Sequence, residues 1–157
     1  MPETPMQKAL RSLIYGVYVV SAAQDDDSLM LLSPWVAQVN FDPPTLGVSL
    51  PADSALANFI VSGVPFVVSI LRAGQKTLAE QFLHGDQGIG EGRSLAQAEN
   101  GAPYLADALA ILECEHAGSV ENLGDHTILL GKVTAARMLS DGHPLTLRQT
   151  GFDPLNF

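Results

Sequence analysis

Apolar positions along this chain fall in short alternating or continuous runs of strand length, separated by turn residues, with few stretches of helical period. Tyr15-Gly16-Val17-Tyr18-Val19-Val20-Ser21 is β-branched and aromatic and predicts a strand, ended by an Asp25-Asp26-Asp27 turn. Leu29 to Phe41 is extended but holds Pro34, which has no N–H for a central ladder, so a bulge, an edge or a loop is expected there. Thr45 to Leu50 and Phe66 to Leu71 read as buried strands, the second apolar except for Ser69. Ala108 to Val120 and His126 to Met138 read as two strands joined by a hairpin at Glu121-Asn122-Leu123-Gly124-Asp125.

Helix signals are fewer. Thr4-Pro5-Met6-Gln7 has a cap, a proline at the first helical position and the glutamine of a capping box, predicting a short helix to about Leu13. Ser54 to Ile60 predicts another, capped by Asp53 or Ser54 and stopped by Gly63. Gln75 to Leu83 is expected to be helical. Five glycines among the 17 residues from Gly85 to Gly101 predict a long loop, and Pro144 to Phe157 has no clear period. With five or six strands, two or three short helices and no regular βα alternation, the pattern points to an antiparallel barrel or an α+β sheet in one domain, residues 1–157.

Composition narrows the function classes. The 157 residues bury about 70% of their unfolded surface at this chain length, enough for a core without staples. Eight basic against 17 acidic residues, net −9, exclude a phosphate-reading nucleic-acid module and disfavour an anionic membrane surface. No apolar run reaches membrane-spanning length, and Met1 to Gln7 is unlike a signal peptide, so a cytoplasmic location is expected. Only 16% of residues are charged, which suggests a surface partly covered by a second copy. The lone cysteine, Cys114, forms no internal disulfide. Together with His116 it supplies too few ligands for a zinc site, so no metal is expected. The glycines at 85, 88, 90 and 92 lack the strand, lysine and helix start of a phosphate-binding loop.

Four segments, in order, resemble the flavin reductase-like family. They are Tyr15-Gly16-Val17-Tyr18-Val19-Val20, the run from Ser33-Pro34-Trp35 to Asp42-Pro43-Pro44, Ser62-Gly63-Val64-Pro65-Phe66-Val67-Val68-Ser69-Ile70-Leu71, and Gly124-Asp125-His126-Thr127-Ile128-Leu129-Leu130-Gly131-Lys132-Val133. Ala102-Pro103-Tyr104-Leu105 through Glu115 is most similar to the reductase module at the C-terminus of cyanobacterial flavodiiron proteins. The diiron and flavodoxin-like modules of those proteins do not fit in 157 residues. The resemblance spans about Leu13 to Gly151. It implies a mainly β (α+β) fold, an antiparallel split barrel that dimerises, with a flavin near the subunit interface and hydride transfer from NAD(P)H to that flavin.

The resemblance also singles out residues. Ser33, Pro34 and Trp35 lie where the family presents backbone and hydroxyl groups to the flavin's pyrimidine edge, although the family usually has serine directly before the tryptophan; an edge bulge is the alternative. Ser54 and Asn58 lie at the family's phosphate-binding helix start, where Ser54 equally reads as a cap. Ser69 stands at an asparagine position of the family on a buried strand, and reads either as a flavin contact or as a satisfied core serine. His126 is the candidate catalytic residue, facing the flavin and nicotinamide in the family; an exposed hairpin histidine beside Asp125 is the other reading.

The implied cofactor is FMN, with FAD as the alternative, and NAD(P)H is the implied substrate. The expected partners are a second copy of the chain and an unidentified redox protein. No cation lies between Arg11 and Arg72, the span that holds both flavin-binding segments, whereas five aspartates do. That supports a second function: a non-catalytic split-barrel dimer with weakened flavin binding that serves as a partner-binding subunit.

Overall fold

A computed structural model describes residues 1–83, 87–88 and 95–157. Its centre is one antiparallel sheet. The strands are β1 (Tyr18–Gln24), β2 (Asp27–Ser33), β3 (Val36–Asn40), β4 (Thr45–Pro51), β5 (Phe66–Ile70), β6 (Gln87–Gly88), β9 (Ala110–Val120) and β10 (His126–Met138). Their order across the sheet is β3-β4-β10-β9-β5-β1-β2-β6. A separate pair joins β7 (Leu95–Gln97) to β8 (Pro103–Leu105).

This order forces the sheet to curl. β2 and β3 are neighbours in the chain but lie six strand spacings apart, about 29 Å in a flat sheet. Only Pro34 and Trp35 connect them, and the three residue steps from Ser33 to Val36 reach about 11 Å at most. The sheet therefore closes on itself until the two ends meet, which makes the split barrel. Pro34 ends β2 as its missing N–H requires.

Alternation along β1 explains the two main cores. Val20 and Ala22 face the barrel interior with Leu31, Val48, Leu50, Phe66 and Leu129, and α2 (Ala55–Val61) plugs that interior with Leu56 and Ile60. Val17 and Val19 face the other way and meet Met30, Leu32, Leu71 and Phe82. α3 (Lys76–Glu80), α4 (Leu147–Thr150) and the short 3-10 turn η1 (Pro154–Asn156) cover this outer core through Ala79, Leu147 and Phe157.

Each expected strand is present, most with boundaries shifted, but the described residues form ten strands and not five or six. Leu29 to Phe41 divides at Pro34 into β2 and β3, and β6, β7 and β8 are too short to show a pattern. The first strand starts at Tyr18, because Gly16 is held in an isolated bridge to Thr146, and it runs on to Gln24 before Asp25 turns at φ +53°. The helix α1 (Pro5–Arg11) has the expected capping box at Thr4 but stops two residues early, where the Ser12 N–H bonds back to Ala9 and Leu10. Two segments hold more regular structure than expected. The tail contains α4, opened by a capping box of Thr146 and Gln149, and η1; both are too short to show a period. The expected long loop contains β7, paired with β8, while residues 84–86 and 89–94 of that region lie outside the described ones. No helix among the described residues is long and apolar enough to cross a membrane.

Gly131 on β10 marks a close approach inside the barrel. A Cβ there would lie 2.5 Å from Phe66 Cζ and 3.1 Å from Cys114 Cβ, both in the buried interior. Gly131→Ala is therefore expected to destabilise the fold by about 1–3 kcal/mol through overpacking, measured as a lower denaturant midpoint at unchanged slope.

Candidate functional site

The meeting of the two sheet ends is held by three hydrogen bonds. Ser33 Oγ donates to the Ser49 carbonyl at 3.0 Å, the Trp35 N–H donates to Ser33 Oγ at 3.2 Å, and the Ser49 N–H donates to the Trp35 carbonyl at 2.9 Å. Ser33 thus uses its hydrogen and one lone pair to join the end of β2 to β4, and keeps one lone pair.

Beside this seam is a cleft of about 370 Å³. It is lined by Leu31, Leu32 and Ser33 of β2, Ser49 and Pro51 of β4, Asp53 and Ser54 at the start of α2, and His126 of β10. Leu83, Asn156 and Phe157 complete it from the outer layer. His126 is placed by the first residue of β10, which pairs with Pro51. Its Nδ1 lies 2.9 Å from Asp125 Oδ1. An ionised carboxylate only accepts, so Nδ1 carries the hydrogen and Nε2 is the ring's remaining polar atom. On its flank the imidazole meets the Trp35 indole, with centroids 4.8 Å apart and planes at 54°. The side chain is 15% exposed although its partner Asp125 is 96% exposed, so the ring is sheltered while its carboxylate stays in water.

The hydrogen bond from His126, more than its charge, holds the Asp125 carboxyl below the usual carboxylate range. A depressed pKa means that the pair's contribution to stability is present above the ordinary aspartate pKa and is lost as pH falls through the lower, folded value.

Trp35 forms the partition between the cleft and a second, apolar groove of about 600 Å³. Leu13, Ile14, Tyr18, Pro34, Trp35 and Val39 line that groove, and Ile14 and Val39 are exposed. The indole Nε1 is buried and has no hydrogen-bond partner among the described residues.

The sequence-predicted residues therefore separate into three groups. Ser33, Ser54 and His126 line one cleft, although they come from three distant segments. Pro34 and Trp35 line the neighbouring groove, with Trp35 reaching the cleft side through its contact with His126. Asn58 and Ser69 line neither. Asn58 is exposed on α2, and the fully buried Ser69 Oγ accepts from the Leu105 N–H at 3.3 Å. Ser54 is the helix cap, accepting from the Ala57 N–H at 3.0 Å, and lines the cleft as well.

Sequence reasoning missed Ser49 and Phe157 as cleft residues. Ser49 is an interior position of an alternating strand, and its partnership with Ser33 exists only once the sheet has curled; no local signal marks it. At the strand positions 113–116, Cys114 is turned into the barrel core, and burial, with Glu113 adding to it, pushes its thiol up to about 12. His116 Nε2 instead lies 2.7 Å from Ser119 Oγ.

This split barrel with a cleft at its seam is the architecture of flavin reductases. Residues 10–156 match the flavin reductase like domain family, and the chain belongs to it. It is 33% identical over 141 residues to diflavin flavoprotein A 1 of Synechocystis sp., covering 87% of this chain and 24% of that protein. It is 36% identical over 149 residues to the high molecular weight rubredoxin of Moorella thermoacetica, covering 88% of this chain and 62% of that protein. The chain thus spans about a quarter of the one relative and under two thirds of the other. Among solved structures, the NADH:FAD oxidoreductase of Streptomyces globisporus superposes with a TM-score of 0.82 at 26% identity, covering 92% of this chain and 88% of that one. The styrene monooxygenase flavin reductase of Pseudomonas putida gives 0.78 at 26%, covering 92% and 93%.

His126→Ala is expected to return the Asp125 carboxyl toward the ordinary aspartate range. A carboxyl-detected NMR titration should show the Asp125 midpoint move upward while that of Asp153, held down by Arg11, stays in place.

Proposed function

We propose that this chain binds a flavin, FMN or FAD, in the seam cleft and that the pair acts as an NAD(P)H:flavin oxidoreductase. The observation that carries this reading is that the curl of the sheet brings Ser33, Ser54 and His126, which the family resemblance assigns to the flavin and nicotinamide, to one cleft. The donor set suits a flat, largely apolar ring with a polar edge. Leu31, Leu32 and Leu83 supply apolar wall, Ser33 keeps an open lone pair, and the half-buried Ser49 adds a hydroxyl. When bound, the flavin supplies the two-electron redox chemistry, while the protein positions the ring and keeps water out.

In this reading His126 is the catalytic residue. Asp125 and Trp35 fix its ring on two sides, so that its Nε2 holds or moves a proton at the edge of the reduced cofactor. Ser33 and Trp35 hold the seam against which the ring lies, and Ser54 keeps its part of the lining in place through the cap of α2. Asn58 and Ser69 have no part at the cleft. The apolar groove behind Trp35 takes a second copy of the chain, which its exposed Leu13, Ile14 and Val39 favour. The electron acceptor lies on another domain or a separate redox protein, a reading that rests on the greater length of the relatives.

Trp35 is the only tryptophan, so its fluorescence reports on the site directly. Adding FMN to the flavin-free protein is expected to quench that emission, and the loaded protein to consume NADH or NADPH in an absorbance assay. His126→Ala is expected to slow turnover about 100- to 10,000-fold while changing flavin affinity little. A protein that neither quenches nor turns over the nicotinamide would be the non-catalytic partner-binding subunit instead. In sedimentation the wild-type chain is expected to run as a dimer, and Ile14→Asp as a monomer.

A further inference from the structure

We infer that the cleft recognises a flavin by its uncharged ring and ribityl chain and opposes a terminal phosphomonoester, so that riboflavin binds at least as tightly as FMN, with Asp53 as the residue that sets this order. The inference rests on the flavin reading above and concerns only which flavin the cleft selects.

Asp53 lines the cleft beside Ser54, is exposed, and has no ion-pair partner among the described residues. No lysine or arginine among the described residues lines the cleft, and the other ionisable side chain there, His126, already meets the Asp125 carboxylate. Four of the seven lysines and arginines among the described residues have partners away from the cleft. Arg11 pairs with Asp153 and Glu3, Lys132 with Glu115, Arg72 bonds Ser140, and Arg137 bonds Tyr104.

Hydrogen bonding points the same way. An ionised carboxylate only accepts, and so does a phosphomonoester dianion, which has a charge of about −1.5 to −2 at neutral pH. The end of riboflavin is a hydroxyl, which can donate to Asp53. Ser54 offers an anion little, because its oxygen already accepts from the Ala57 N–H and caps α2, a helix of only seven residues. Riboflavin therefore meets Asp53 with a group that can donate to it, and FMN places like charge against like.

The test is a pair of Trp35-quenching titrations, riboflavin and FMN, on the wild-type protein and on Asp53→Asn, each at low and at physiological salt. At low salt FMN is expected to bind roughly threefold to tenfold more weakly than riboflavin, a ratio that narrows as salt screens the repulsion. Asp53→Asn is expected to bring the two within about twofold, mainly by improving FMN. The wild-type salt dependence needs no variant, so the inference stays testable if Asp53→Asn folds poorly. FMN binding more tightly than riboflavin to the wild type, or a ratio unmoved by both salt and Asp53→Asn, overturns this inference and leaves the flavin reading standing. Failure of both flavins to quench removes the two together.

Discussion

Two residues have to bring opposite ends of a seven-strand width of sheet together, and most of the architecture follows from that shortage of chain. Pro34 and Trp35 reach about a third of the distance that a flat sheet would require. Curling is therefore not a preference of the strands but a condition of connectivity. Once the sheet is curled, the barrel has an inside to fill and a seam to close. The interior is filled by the even positions of β1 together with α2, and the seam is closed by Ser33, Trp35 and Ser49 acting on one another.

The seam is also where a ligand can enter. Elsewhere around the barrel the backbone groups pair strand to strand, but beyond Ser33 the ladder stops and side chains take over. A cleft beside such a gap is lined by strand ends and by side chains from remote segments, which is why Ser33, Ser54 and His126 share it. The indole of Trp35 serves both sides of the partition, steadying His126 on one and offering apolar surface on the other. Among its lining residues Asp53 brings a carboxylate, while the Ser33 and Ser54 hydroxyls are tied into the seam and the cap.

How much of this was legible in the sequence depended on whether the signal was local. The break at Pro34 was, because a missing N–H acts wherever it stands. The cap at Thr4 and the short helix after Ser54 were equally plain, since capping needs only a few neighbouring residues. The β9–β10 hairpin was readable from its turn chemistry and from two long alternating runs. By contrast, the partnership of Ser33 with Ser49 depends on closure of the whole sheet, and the arrival of Phe157 at the cleft depends on the tail crossing the outer core. Ser69 shows the opposite limit: its place on a buried strand was legible, but which buried group it faces was not, and the answer is Leu105. The capping box at Thr146 was written in the tail but opens a helix of four residues, too short for periodicity to announce.

The same connectivity has a consequence for the order in which the molecule comes into being. β1–β2 and β3–β4 are hairpins within residues 18–51, and they form the two outer parts of the main sheet; β5, β9 and β10, which lie between them, come from residues 66–138. A ribosome therefore delivers both flanks before the middle that unites them. In that interval the inner edges of β1 and β4, later matched by β5 and β10, have no strand to pair with. Unpaired edges of this kind invite other chains. The nascent protein is most open to wrong association while its own centre is still unmade, and that exposure ends only when β10 has been synthesised.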